Sequence, residues 1–216
     1  MDVYSSIVRF FQSGGPFMYP IVLVLALGVA IAIERYIFLS FAGARNRRVW
    51  GQLEPLLRKG DLQGARSLTS DSSTAISKIL DYGLERLRNT RNRSEVEMAM
   101  EESLMEEMPR LEKRTHYLAT FANLATLLGL LGTIIGLIQA FTAVANATPA
   151  QKADLLSASI SVAMNTTAFG LMVAIPLLLI HAVLQTKTTE LEDSLEMVSV
   201  KFLNAVADTS QSGGSE

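Results

Sequence analysis

The sequence predicts an all-α membrane protein: three transmembrane helices with long helical extensions outside the bilayer. Three observations carry this. Mean hydropathy is positive, +0.28. Three windows, 17–33, 115–151 and 155–186, contain no Asp, Glu, Lys or Arg. Charge is crowded between the first two, with fourteen of the nineteen Lys and Arg in 42–114. A bilayer core takes about 20 apolar residues of helix, and each window with its apolar flanks supplies them. The net charge of −2 gives no reason to expect nucleic acid. With no cysteine, neither a disulfide framework nor a thiolate metal site is possible. HExxH, Walker A and GxSxG motifs are absent from the sequence. No enzyme activity, catalytic residue, cofactor or metal is therefore expected.

Residues 1–15 read as an amphipathic lead, in which Ile7, Val8, Phe10 and Phe11 can lie along a membrane surface. The lead is too weakly basic for a cleaved signal peptide. The first span is placed at 16–41. Pro16 and Pro20 fall near its first turn, where a missing amide costs least. Glu34 and Arg35, toward its far end, can snorkel or pair. Residues 42–114 read as a loop of short helices. Val49–Leu57 comes first, and Gly60-Asp61 stops it before Leu62–Leu68. Ile76–Leu87 follows, and Ser94 with Glu97 forms a capping box for the next helix.

From there Val96, Met100, Leu104, Met108, Leu111, Thr115 and Leu118 keep a three/four spacing into the second window. This predicts one helix over 95–146, about 78 Å long, with 115–146 as the second span and Pro109 loosening it locally. Glu101, Glu102, Glu106 and Glu107 read as a solvated face. The hairpin 147–154 leads to a third span at 155–186, which Pro176 should kink. Residues 187–216 read as a helix to about Val206 and a disordered tail from Gln211. By the positive-inside rule 42–114 and the C-terminus lie in the cytoplasm. The N-terminus and the hairpin 147–154 then lie outside.

Two helix faces stand out. In the second span Thr126, Thr133 and Ala140 align at spacing seven, with Gly129, Gly132 and Gly136 on the adjoining arc. In the third, Ala163, Thr167, Gly170, Ala174 and His181 share an arc about 60° wide. The glycines read as close-packing surfaces. Thr133 and Thr167 either pack or line a narrow hydrated path, with Thr126 and His181 as secondary candidates. Asn165 and Thr166 point elsewhere and can bond between helices. Neither span holds an acid or a Lys or Arg, so a titrating group for ion movement must come from a partner unless His181 supplies it.

Three stretches carry a family resemblance: GGPFMYPIVLVLALGVAIAIERYIFL (14–39), LLGLLGTIIGLIQAF (127–141) and NTTAFGLMVAIP (165–176). In them the chain resembles the MotA/TolQ/ExbB proton-channel family, most closely its ExbB-like branch. The resemblance implies a bacterial inner-membrane protein with a periplasmic N-terminus and cytoplasmic C-terminus. It implies a homopentamer around a dimer of single-span ExbD/TolR-like chains, whose membrane aspartate takes and releases protons. The output is TonB-dependent uptake in ExbB-like members and envelope maintenance in TolQ-like members. Membrane lipids and a TonB-like protein are implied partners. The family's pore threonines match Thr133 and Thr167. Relatives often carry glutamate where Val162 stands, and some relatives use sodium. The short loop at 42–114 argues against a flagellar stator. A non-conducting membrane scaffold remains the alternative.

Overall fold

The computed structural model describes residues 10–11, 14–90, 92–145 and 147–212, with side chains described as far as Ala207. From Met18 onward the described helices run in the order α1 (Met18–Arg58), α2 (Leu62–Ser70), α3 (Ala75–Asn89), α4 (Arg93–Glu112), α5 (Thr115–Ala145) and α6 (Lys152–Ser212). The described chain divides into two compact units. One takes the residues up to Glu34 with Arg114–Val183; the other takes Arg35–Lys113 with the chain from Leu184. Among the described residues, three helical stretches are long and apolar enough to cross a membrane: Met18–Arg58, Arg93–Ala145 and Lys152–Ala207.

The first unit is small inside and large outside. Along α5 the buried stripe is Leu118, Ala122, Ala125, Gly129, Gly132 and Ala140, spaced three, four and eight residues apart. Leu127, Leu130, Ile134, Ile138 and Phe141 face outward. In water this arrangement would be inverted. In lipid, where apolar surface drives nothing, small residues select the packed face because they let backbones approach. Phe10 and Phe11, which the sequence lets lie along a membrane surface, pack on aromatic rings of this chain. Both rings meet Phe169 of α6 edge to face, at 6.3 and 6.0 Å, and Phe11 also meets Tyr19 at 5.5 Å. The rest of the expected amphipathic lead, including Ile7 and Val8, falls outside the described residues.

The second unit has a core of the kind found in water. Ile76, Ile79, Leu80 and Leu84 of α3 are buried, as are Val96, Met100 and Leu104 of α4 and Leu195, Val198 and Phe202 of α6. Gly83 makes room for Met100 and Phe202: a Cβ there would stand 2.8 Å from Met100 Sδ and 3.1 Å from the Phe202 ring. The helices begin on side-chain caps. Asp61 accepts from the Gly64 amide at 2.8 Å, and Thr74 accepts from that of Ser77 at 3.3 Å.

Four expectations for 42–114 need correction. Val49–Leu57 is no separate helix but the end of α1, which runs past 41 to Arg58. Leu39, Asn46 and Leu53 are buried at spacing seven and hold that extension to the unit, and the chain turns only at Gly60, where φ is +72°. The capping residue of α4 is Asn92 rather than Ser94; its side chain accepts from the Ser94 amide at 3.1 Å. Glu107 leaves the solvated face. It is 8% exposed and accepts from Lys78 and from Arg110, each at 2.8 Å.

The fourth correction concerns the single helix over 95–146, which is broken at Lys113 and Arg114. Pro109 does not break it, since α4 continues beyond it to Glu112. The break comes where Arg114 takes a left-handed φ of +67°. Arg35 of α1, 2% exposed, donates to the carbonyl of Leu111. That carbonyl lies in the last turn of α4, where no intrahelical partner remains. Arg114 itself pairs with Glu34 at 3.4 Å. At the other end of the chain, α6 passes through Pro176 without interruption and on to Ser212; residues 213–216 fall outside the described chain.

One carboxylate in the second unit sits badly. Glu192 Oε1 is buried with no hydrogen-bond partner among the described residues. Burial first, then the charges of Glu112, Asp193 and Glu196, push its carboxyl above the ordinary value of 4.5. The folded state thus binds this proton more tightly than the unfolded chain. Stability falls as pH rises from 4.5 through the raised value. Glu192→Gln should therefore raise the melting temperature at pH 8 and lose that advantage as pH approaches 4.5. Melting curves across that range check it; an advantage independent of pH would contradict it.

Candidate functional site

The candidate site is the seam between α5 and α6 in the first unit. Its closest approach is at Gly129 and Gly170. A Cβ on Gly170 would stand 2.7 Å from the Ala125 carbonyl oxygen and 3.1 Å from Gly129 Cα. A Cβ on Gly129 would stand 3.2 Å from Thr167 Cα and 3.3 Å from Gly170 Cα. Every one of these neighbours is backbone, so none can swing aside. Gly136 faces Ala163, and Gly132 faces Thr166 with Phe17 beyond it. All four glycines thus lie against this chain's own helices.

One of the candidate threonines bridges this seam, and the other two bond within α5. Thr167 of α6 donates to the Gly129 carbonyl of α5 at 2.9 Å. A side chain here therefore bonds across the helices at the glycine contact. Thr133 donates to Leu130 O at 2.6 Å and Thr126 to Ala122 O at 3.1 Å, both within α5. Thr133 and Thr167 are half-buried, while Thr126 is exposed. In each hydroxyl the proton is engaged by a carbonyl while the oxygen keeps its acceptor capacity. Such an oxygen can receive a hydrogen bond from water, a protonated carboxyl or a hydrated cation.

Thr166 has a different job. It is 2% exposed and directs its hydroxyl at two carbonyls, Gly14 O and Val162 O. The first of these ties α6 to the turn that leads into α1. Gly15, with φ +72°, takes a conformation that residues with a Cβ rarely adopt. Val162 stands next to it, 3.3 Å from where a Gly15 Cβ would be. In the sequence Thr166 lies off the main face and has reach for an interhelical bond, but little there points to this anchoring. The only signal was its place beside Thr167 and the Gly-Gly-Pro at 14–16.

His181 lies further along α6 in the same unit, half-buried. The first unit's parts of α5 and α6 bring no acid, lysine or arginine to the middle of the seam, because residues 115–151 and 155–186 contain none. Among the described residues, no group of three His, Cys, Asp or Glu is placed to hold a metal ion. Outside the seam, Leu171, Met172, Ile175 and Leu179 of α6 are exposed.

Comparison with known proteins gives this arrangement a family. The sequence profile of the MotA/TolQ/ExbB proton channel family matches residues 71–197. A putative biopolymer transport protein ExbB homolog of Methanothermobacter thermautotrophicus is 30% identical over 92% of this chain and 70% of its own length. The putative biopolymer transport protein ExbB-like 3 of Synechocystis is 31% identical over 78% of this chain and 80% of its own. The Tol-Pal system protein TolQ of Haemophilus influenzae is 33% identical over 44% of this chain and 41% of its own. The chain belongs to the MotA/TolQ/ExbB proton channel family.

Proposed function

We propose that this family member is the ring-forming subunit of a proton-driven motor in the bacterial inner membrane. Five copies surround a dimer of single-span ExbD/TolR-like chains. The membrane aspartate of that partner takes and releases the proton, and the motion is passed to a TonB-like protein that energises outer-membrane transport. One observation carries the reading. Thr133 of α5 and Thr167 of α6 both keep an oxygen that can accept, and the spans that carry them contain no acid to titrate. A path lined this way needs its proton carrier from another chain.

In this reading Thr133 and Thr167 line the path, Thr126 and His181 are secondary, and Gly129, Gly132, Gly136 and Gly170 set the helix spacing. The fourteen Lys and Arg of 42–114 favour a cytoplasmic second unit and C-terminus, with the N-terminus in the periplasm. A TolQ-like role in envelope maintenance is the second reading, favoured by the likeness to the Haemophilus influenzae protein.

Co-expression with the product of an adjacent single-span gene, followed by native mass measurement, tests the proposal. A complex of five copies with two aspartate-bearing partners is expected. A stable monomer that captures no such partner would sink it.

A further inference from the structure

In the second unit two helix stripes of opposite charge have no partner. On α1, Arg45 and Arg48 are exposed, one turn apart, and make no ion pair among the described residues. On α4, Glu101 and Glu102 are exposed and equally unpaired, set between Met98 and Met105, which are 57% and 69% exposed. These four α4 residues help to line a shallow depression. Some other charges of the unit do pair: Glu54 with Arg58, Arg86 with Glu95, and Glu107 with Lys78 and Arg110.

The two stripes lie at matching levels. Arg35 of α1 donates to the Leu111 carbonyl of α4, which sets those residues side by side. Ser40 meets Lys187 and Trp50 meets Lys201, so α1 runs parallel to α6. Glu112 lies near Glu192 and Arg93 bonds Asn204, so α4 runs antiparallel to α6. Away from the common level, α1 therefore ascends in residue number while α4 descends. At a rise of 1.5 Å per residue, Arg45 and Arg48 stand about 15 and 20 Å from it. By the same rise Glu102, Glu101 and Met98 stand about 14, 15 and 20 Å from it. Copies related by an axis parallel to these helices keep each residue at its own level. A neighbour's arginine pair is thereby level with this chain's glutamate pair.

We infer that the α4 stripe receives the α1 stripe of a second copy, with the neighbour's Arg45 at Glu101 and Glu102 and its Arg48 beside Met98. The inference rests on the ring reading above. A closed ring repeats a contact between two different faces, and complementary charge fixes its partner and register. The methionines supply apolar contact that adapts to the neighbour's surface.

The chain has no cysteine, so introduced thiols report alone. Arg45→Cys and Glu101→Cys copies, differently tagged, are co-expressed and oxidised in membranes, and the native complex is weighed in parallel. A disulfide dimer carrying both tags is expected, absent when either variant is expressed alone. Arg45→Glu with Arg48→Glu should lower the ring fraction severalfold, and adding Glu101→Arg and Glu102→Arg should restore it. A ring of normal mass without the mixed dimer overturns this interface and leaves the ring reading standing. A monomer overturns both. If the arginine reversals weaken binding to anionic vesicles and no mixed dimer forms, the arginines serve lipid headgroups and the interface is overturned.

Discussion

Gly170→Val is expected to push α5 away from α6 and cost about 3 kcal/mol or more, the upper end of what overpacking costs in a close-packed interior. The reason lies in what a side chain would meet. Ala125 O and the Gly129 backbone stand 2.7–3.4 Å from a Cβ at 170. Helix backbone cannot rotate out of the way as a side chain tip can. The whole contact must open, and the Thr167 bond to Gly129 O is stretched with it. About 3 kcal/mol is roughly a hundredfold in the ratio of folded to unfolded chain, so the variant should be less heat-resistant and recovered from membranes in lower yield. Gly51 provides the control. It lies inside α1 with nothing within 4 Å of a Cβ, and Gly51→Ala should stabilise by about 0.5–1 kcal/mol through helix propensity alone. Thermal melts of both variants in detergent make the comparison. Wild-type melting of Gly170→Val would mean that the helices are not held at the spacing described.

Much of this arrangement is legible in the sequence, and the parts that are not have physical causes. The three spans show as long windows without charge because a charged side chain is costly inside a bilayer. The glycine face of 129, 132 and 136 shows because helical periodicity is a local property. Helix ends fare worse. Ser94 and Glu97 have the spacing of a capping box, but Asn92 takes the cap two residues earlier. The break at Lys113–Arg114 lacks a glycine, and the nearby Pro109 draws attention to the wrong turn. What shapes that end of α4 is Arg35, 76 residues away in sequence, reaching the Leu111 carbonyl. Glu107 is likewise indistinguishable from Glu106 by composition. Its burial follows from Lys78, which α3 brings to it. At the seam, the residue types of Thr133, Thr166 and Thr167 are visible in the sequence, but which carbonyl each hydroxyl chooses is not.

Those choices give the second prediction. Thr167→Val and Thr133→Val each replace a hydroxyl by a methyl of nearly the same shape. The stability cost should be small. Interhelical hydrogen bonds in membranes average about 0.6 kcal/mol, and Gly129 O and Leu130 O, inside α5, keep their helical amide partners. A packing role alone would therefore leave both variants nearly unaffected in assembly and in output. If the oxygens accept from the proton carrier, the loss is that of a hydrogen bond to a charged or strongly polarised donor, about 1.5–3 kcal/mol. At 1.4 kcal/mol per factor of ten, proton uptake should then fall by about 10- to 150-fold. Thr133→Ser and Thr167→Ser, which keep the oxygen, should retain most of it. The measurement is proton influx into vesicles containing the reconstituted complex with its partner, alongside the native mass of each variant. Intact assembly with flux lost in the valine variants and kept in the serine variants assigns the hydroxyls to the path. Undiminished flux in both valine variants would return Thr133 and Thr167 to helix packing and leave the proton route to be sought elsewhere in the ring.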